Sequence, residues 1–264
     1  YVIDDFSTGL EDNICSEAIY IRHDIVDYIH NPDLLKNVLV SNKIDIIIHL
    51  AAMTDVRESI EKPINAFNVN LLSTISICDV ALENGISKLL FASTSAVFGE
   101  PEYLPVDEFH PQKPISPYGL SKLSAESFLI NRFVESSVDF VSFRLPNVYG
   151  PRQRSDLEGG VVAIFNDKMI NNDEIVFFGD GKQTRDWVHV DDIANAFILG
   201  INKNNIGQQI ICLGTKWNNS LEDLFNYLSN YHNYTKIPKR FGAKIGDIKH
   251  MSMSFKKAKE ILKW

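Results

Sequence analysis

The chain has 264 residues, of which 45% are hydrophobic and 23% charged, and carries a formal net charge of -8 at pH 7. That length holds one large domain or two small ones, with the apolar share of an ordinary globular fold. The acidic balance argues against non-specific nucleic-acid binding, and no apolar run reads as long enough for a membrane span.

Cys15, Cys78 and Cys212 are odd in number and lack metal-ligand spacing. They read as reduced core thiols. The seven histidines form no His-x-x-x-His cluster, so no structural metal is expected. No signal-peptide pattern opens the sequence, and a cytoplasmic protein is expected.

In chain order, Tyr1 to Asp5 reads as the end of a buried strand, with Phe6 to Gly9 as a turn. Ala18 to Arg22 is the next strand, followed by His23, Asp24 and Ile25. Pro32 to Asn42 is a short helix. Ile44 to Leu50 is strongly β-branched, as a central parallel strand should be. It runs into His49-Leu-Ala-Ala52. Ala66 to Asn84 reads as a helix, with Asn68 and Asn70 near its start. Lys88 to Ala92 is a buried strand carrying Ser93, Thr94 and Ser95 at its end. A long, Pro-rich loop from Glu100 to Pro117 leads to the next helix. Val138 to Phe143 is another buried strand, ending in Arg144-Leu-Pro-Asn-Val-Tyr-Gly-Pro-Arg152. Gly159 to Phe165 starts a helix. Ile175 to Phe178 and Asp186 to Val188 flank Gly179-Asp-Gly181, which predicts a hairpin. Asp191 and Asp192 are placed to cap a helix through Leu199. Gln208 to Leu213 is a strand, and Leu221 to Leu228 and Phe255 to Leu262 are helical.

Tyr118-Gly-Leu-Ser-Lys122 carries the chemistry. Tyrosine and lysine four apart on a helix share one face. Ser116 and Pro117 are suited to open that helix. A phenol titrates near pH ~10, and a neighbouring ammonium favours the phenolate. A phenolate can take a proton from a sugar hydroxyl. Alone the pair is weak evidence, since an exposed lysine beside a half-buried tyrosine gives the same spacing. The hydroxyls upstream change that. In open α/β sheets ligands bind beyond the carboxyl ends of the strands.

With these residues together, the chain resembles the extended short-chain dehydrogenase/reductase family, in its nucleotide-sugar epimerase/dehydratase branch. The resemblance runs over essentially the whole chain. It implies an α/β fold, a Rossmann-like doubly wound parallel sheet with a smaller C-terminal substrate-binding lobe. It assigns 1–145 and 189–213 to the cofactor domain and 146–188 and 214–264 to the lobe. The family's catalytic set falls on Thr94, Tyr118 and Lys122. NAD contacts are implied at Asp4, Asp24, Ile25, Leu50, Ala51, Ala52, Asn70, Ser93, Tyr118, Lys122, Leu145 and Pro146. UDP-sugar contacts are implied at Thr94, Asn147, Val161, Arg185, Lys244 and Asp247. Lys244 stands where an arginine is usual, replacing a fork with a point charge. Met251 falls where the family varies bulk beside the sugar.

The resemblance also implies a Gly-rich strand–loop–helix unit of about 30 residues before Asp4. Without that unit NAD binding is expected to be weak, because its backbone donors hold the pyrophosphate. Asp4 implies NAD rather than NADP, since a carboxylate repels a 2'-phosphate. Dehydratases of the branch carry Thr-Asp-Glu at the strand end, whereas this chain has Thr94-Ser95-Ala96. The implied activity is therefore 4-epimerisation of a UDP-hexose through a transient 4-keto sugar, in a homodimer. The alternatives are a UDP-glucuronate decarboxylase or dehydratase, or a catalytically silent nucleotide-sugar-binding protein.

Overall fold

The computed structural model describes residues 1–157, 160–242 and 248–264. Strands and helices alternate through the first half: β1 (Val2–Asp4), β2 (Tyr20–Arg22), α1 (Asp33–Ser41), β3 (Ile46–His49), α2 (Val56–Glu61), α3 (Pro63–Phe67), α4 (Ser73–Glu83), β4 (Lys88–Thr94), α5 (Pro117–Phe133) and β5 (Asp139–Leu145). Shorter pieces follow: β6 (Asn147–Tyr149), α6 (Val161–Ile170), β7 (Val176–Phe178), β8 (Thr184–Arg185), β9 (Trp187–His189), α7 (Val190–Asn202), β10 (Gln208–Cys212), β11 (Asn219–Ser220), α8 (Leu221–His232), β12 (Lys239–Phe241) and α9 (Lys256–Leu262).

The main sheet is parallel, in the order β10-β5-β4-β3. Its strands alternate sides, as a period of two requires. Leu89, Phe91 and Phe140 enter one core with Leu35, Ile77, Ala125 and Leu129 of the helices on that face. Leu90, Val141 and Phe143 enter a second core with Ile193, Phe197, Ala258 and Leu262. Helices thus cover both faces, which is the doubly wound arrangement. β1 and β2 pair with each other, separately from β3.

Lys88 starts β4 and is buried. Its ammonium donates to the carbonyls of Gly200 (3.0 Å), Ile201 (2.7 Å) and Lys203 (2.7 Å). These lie at the C-terminal end of α7, where helix carbonyls need outside partners.

α3, a π-helical turn over Asn68–Leu72 and α4 make one run, Pro63–Glu83. By length and composition it could cross a bilayer, which the sequence reading did not anticipate. Its apolar content has another explanation here: Ile77, Cys78, Val80 and Ala81 are buried in the first core.

Three local expectations are corrected. β7 and β9 do not form a hairpin: β7 pairs with β12, and β9 with β6, both in parallel. The Gly179–Gly181 turn, with positive φ at both glycines, sends the chain to other partners. The side-chain cap of α7 is His189, which accepts the Asp191 N–H, with Asp191 and Asp192 in the first turn. Cys78 and Cys212 are buried, but Cys15 is exposed because it sits in the loop before β2.

A further cluster gathers Phe165, Phe177, Leu221, Phe225 and Leu228 from α6, β7 and α8. It is a separate apolar centre next to the sheet. Arg57 of α2 lies 5.8 Å from the Phe178 ring centroid, linking the two regions.

Candidate active site

Ser116 caps α5 by accepting the Gly119 N–H at 3.1 Å, and Pro117 holds the first turn. The Tyr118 N–H donates to Ser59 Oγ at 3.1 Å. Gly119 lets the helix start close to the end of β4. A Cβ there would stand 2.5 Å from the Ala96 carbonyl oxygen, too near for any side chain.

At that strand end Thr94 Oγ1 accepts the Ala96 N–H at 3.1 Å. Its own O–H is left to point elsewhere, and Thr94 stands near enough to Tyr118 to favour the ionised phenol. The arrangement suits a hydroxyl that donates to a phenolate. Neighbouring Ser93 Oγ is buried with no partner.

Lys122 lies one turn further along the same face. It is 2% exposed, and its Nζ sits 4.0 Å from the Phe91 ring centroid. The reading of an exposed lysine beside a half-buried tyrosine is therefore excluded. The expected lowering of the phenol does not appear in the chain alone. Burial pushes Tyr118 up, and Thr94 pulls it back only in part. Burial also lowers Lys122 to about 7, against the pull of Glu126. A lysine so desolvated is only partly charged at neutral pH, so it supports the phenolate less than a full ammonium would.

His49 ends β3, and its Nε2 lies 2.8 Å from Thr74 Oγ1. The Thr74 hydroxyl donates to the Asn70 carbonyl at 2.9 Å. Its single hydrogen is thus used, so His49 Nε2 carries the donated proton. Burial and the nearby Lys122 push His49 down to about 3. The imidazole is neutral in the folded chain but titrates normally once unfolded. Its contribution to stability is full above pH ~6.5 and is lost as pH falls towards about 3. Thermal melts between pH 7 and pH 4 are expected to show wild type losing on the order of a few kcal/mol more than His49→Gln. Parallel pH dependence of the two would remove His49 from this balance.

Asn70, in the π-helical turn, accepts the Met53 N–H at 2.8 Å and donates to the Met53 carbonyl at 3.0 Å and Ser121 Oγ at 3.0 Å. It ties the loop after β3 to α5. π-helical turns often mark functional positions.

The residues implied for the cofactor gather at the carboxyl ends of the parallel strands. Asp4 ends β1, and its Oδ1 accepts the Phe6 N–H at 2.7 Å. Asp24 follows β2 and caps the turn beginning at Ile25, accepting the Val26 N–H at 2.8 Å. Ile25 is buried beneath it. Leu50 and Ala51 after β3 are exposed, with Ala52 half-buried. Leu145 and Pro146 close β5. An exposed apolar shelf, small residues and the unpartnered Ser93 hydroxyl fit a dinucleotide lying across these ends. Asp4 would meet its ribose, and Lys122 its nicotinamide half. Arg154 reaches over from the loop after β6, donating to the Thr8 carbonyl at 2.7 Å.

The residues implied for the substrate lie on neighbouring pieces. Asn147 starts β6 and donates its N–H to the Asp186 carbonyl at 3.1 Å. Arg185 lies in β8, its Nη1 donating to the Thr184 carbonyl at 2.8 Å. Val161 begins α6 and is partly buried. Lys244 and Asp247 lie outside the described residues. Met251 is buried with Val97, Phe98 and Met253. A cavity of about 410 Å³ opens beside Tyr149, Gln153, Val162 and Asn166, but Thr94, Tyr118 and Lys122 are not in its walls. The Thr94, Tyr118 and Lys122 group stands apart from that cavity.

Two buried anchors escaped the sequence reading. Asp186 accepts from Thr215 N–H and Oγ1 and from the Met253 N–H at 2.9 Å. It is fully buried, so its carboxylate is held inside the fold rather than at the surface. Glu126 accepts from Arg144 and Ser142. Its signal was the second four-residue step from Tyr118 along α5.

The sequence model of the NAD dependent epimerase/dehydratase family matches residues 18–214. A protein of Methanocaldococcus jannaschii, described as a candidate UDP-glucose 4-epimerase, is 37% identical over 266 residues, covering all of this chain and 84% of its own length. The structure of UDP-glucose 4-epimerase from Thermotoga maritima with UDP-glucose superposes with a TM-score of 0.93 at 30% identity, over 99% of this chain and 84% of that one. UDP-N-acetylglucosamine 4-epimerase from Methanobrevibacter ruminantium, in complex with UDP-N-acetylmuramic acid, gives 0.89 at 28% identity, over 98% and 82%. With the doubly wound sheet and the Thr94, Tyr118 and Lys122 group at its strand ends, these matches show that the chain belongs to the NAD dependent epimerase/dehydratase family.

Proposed function

We propose that the protein interconverts the C4 epimers of a UDP-hexose, UDP-glucose and UDP-galactose or their N-acetyl forms. The observation that carries this reading is the close approach of the end of β4, with Thr94, to the first turn of α5, with Tyr118, and the burial of Lys122 on the same helix face. Tyr118 takes the proton of the sugar 4-hydroxyl and later returns it. Thr94 donates to the phenolic oxygen and holds the sugar oxygen beside it. Lys122 supplies positive charge beneath the pair. NAD bound across the strand ends supplies the acceptor and donor of the hydride at C4. The 4-keto sugar must turn over in the site so that its other face is presented.

Ser95 and Ala96 follow Thr94, so the acid and base that would drive water loss from the sugar are missing at that strand end. This favours epimerisation over dehydration. The similar proteins named for UDP-glucose and for UDP-N-acetylglucosamine support both sugars as candidates. Incubation of the NAD-loaded protein with UDP-glucose, or with UDP-N-acetylglucosamine, is expected to yield the corresponding galacto epimer. A 4-keto-6-deoxy sugar as sole product would replace this reading with a dehydratase.

A further inference from the structure

Tyr118, Lys122 and Glu126 stand at successive four-residue steps on one face of α5, and the last two are almost wholly buried. A buried glutamate needs partners. Arg144 of β5 supplies them: its Nη2 donates to Oε1 at 2.6 Å, and its Nε lies 3.2 and 3.3 Å from the two carboxylate oxygens. Ser142 Oγ donates to Oε2 at 2.7 Å. Arg144 is itself fully buried, stacked 4.9 Å from the Phe98 ring centroid. The carboxylate is fixed from the sheet side while its helix carries it beneath Lys122.

One Arg–Glu pair would be electrically complete. Here a third charged group, Lys122, stands four residues before the glutamate on the same buried helix face. The set of Lys122, Glu126 and Arg144 carries one net positive charge when the lysine is protonated. With Tyr118 counted as well, the charged-lysine form becomes neutral when the phenol gives up its proton. Ion pairs of this kind rarely add stability over apolar packing, so a role beyond stability is the stronger account.

We propose that Glu126 is a positioning residue for the Tyr118–Lys122 pair: its carboxylate, clamped by Arg144 and Ser142, holds the lysine and its charge beneath the phenol. The inference rests on reading Lys122 as the cation that supports Tyr118. The charged or titratable groups facing Lys122 are His49 from β3, Tyr118 and Glu126 on α5, and Arg144 from β5 behind the glutamate. His49 is neutral, and Arg144 and Lys122 have the same sign. Glu126 is therefore the group that opposes desolvation of the ammonium.

The test is a direct titration. Lysine carbon NMR on the full chain, with Lys122→Met to identify the signal, reads the Lys122 midpoint. Wild type is expected near 7. In Glu126→Gln the midpoint is expected to fall by about one unit or more. If leaving Arg144 unpaired prevents folding, Glu126→Met combined with Arg144→Met removes both charges and carries the same comparison. The midpoint is expected to fall there too, though the loss of Arg144 repulsion makes the fall smaller. In the NAD-loaded protein, turnover of Glu126→Gln should decline at lower pH on the alkaline side than wild type. A merely structural defect would scale the whole profile without moving that limb. An unchanged Lys122 midpoint in the folded variant overturns the proposal. The NMR result stands whatever the enzyme's sugar, so it fails separately from the epimerase reading.

Discussion

Tyr118→Phe is expected to lower turnover by roughly 100-fold or more while leaving UDP-sugar affinity nearly unchanged. The hydroxyl acts where the substrate proton moves, so its loss falls on the transition state. The ring still fills its place against the start of α5, whose Ser116 cap and Ser59 contact use only backbone donors of Tyr118 and Gly119. Thr94 keeps the Ala96 N–H. The fold should therefore survive, and a melting temperature near wild type is the control. Steady-state kinetics with substrate titration makes the measurement. Near-normal turnover would take Tyr118 out of the mechanism.

Arg185→Ala is expected to do the converse, weakening substrate binding by about 10- to 100-fold, the scale of a charge-assisted hydrogen bond to a diphosphate. Asp186 is committed to Thr215 and Met253, so removing Arg185 does not break its bonds. Some turnover is also expected to go, because binding energy at the diphosphate helps position the sugar. Calorimetry with UDP isolates the anchoring part. Equal UDP affinity in the variant and wild type would move diphosphate recognition to other residues.

Much of this site was legible from local chemistry. Ser116 and Pro117 announce the start of α5, and four-residue spacing puts Tyr118 and Lys122 on one face. The apolar runs at Ile46–His49 and Lys88–Thr94 mark parallel strands, but only β4 is buried on both faces; β3 is the last strand of the four-stranded sheet and leaves Ile48 exposed. What escaped depended on partners distant in sequence. Arg144 and Glu126 meet only because β5 packs against α5, and no spacing rule links residues on different elements. The hairpin expectation failed for the same reason. Gly179 and Gly181 do make a turn, but the partners of β7 and β9 come from β12 and β6. The pKa of Tyr118 was misjudged because proximity of a lysine is visible in sequence, whereas the burial that discharges it is not.

Lys88 stands at the opposite end of β4 from Thr94, roughly 20 Å away along an extended strand. Its three carbonyl partners at the end of α7 pin β4 lengthwise. A strand displaced by a single residue would offer the Tyr118 helix Ser93 or Ser95 in place of Thr94, and would turn Leu89 and Leu90 to the wrong cores. The alignment of the strand-end hydroxyl beside Tyr118 is thus set from the far rim of the sheet. Three adjacent hydroxyl residues at the strand end can then coexist without ambiguity about which one serves.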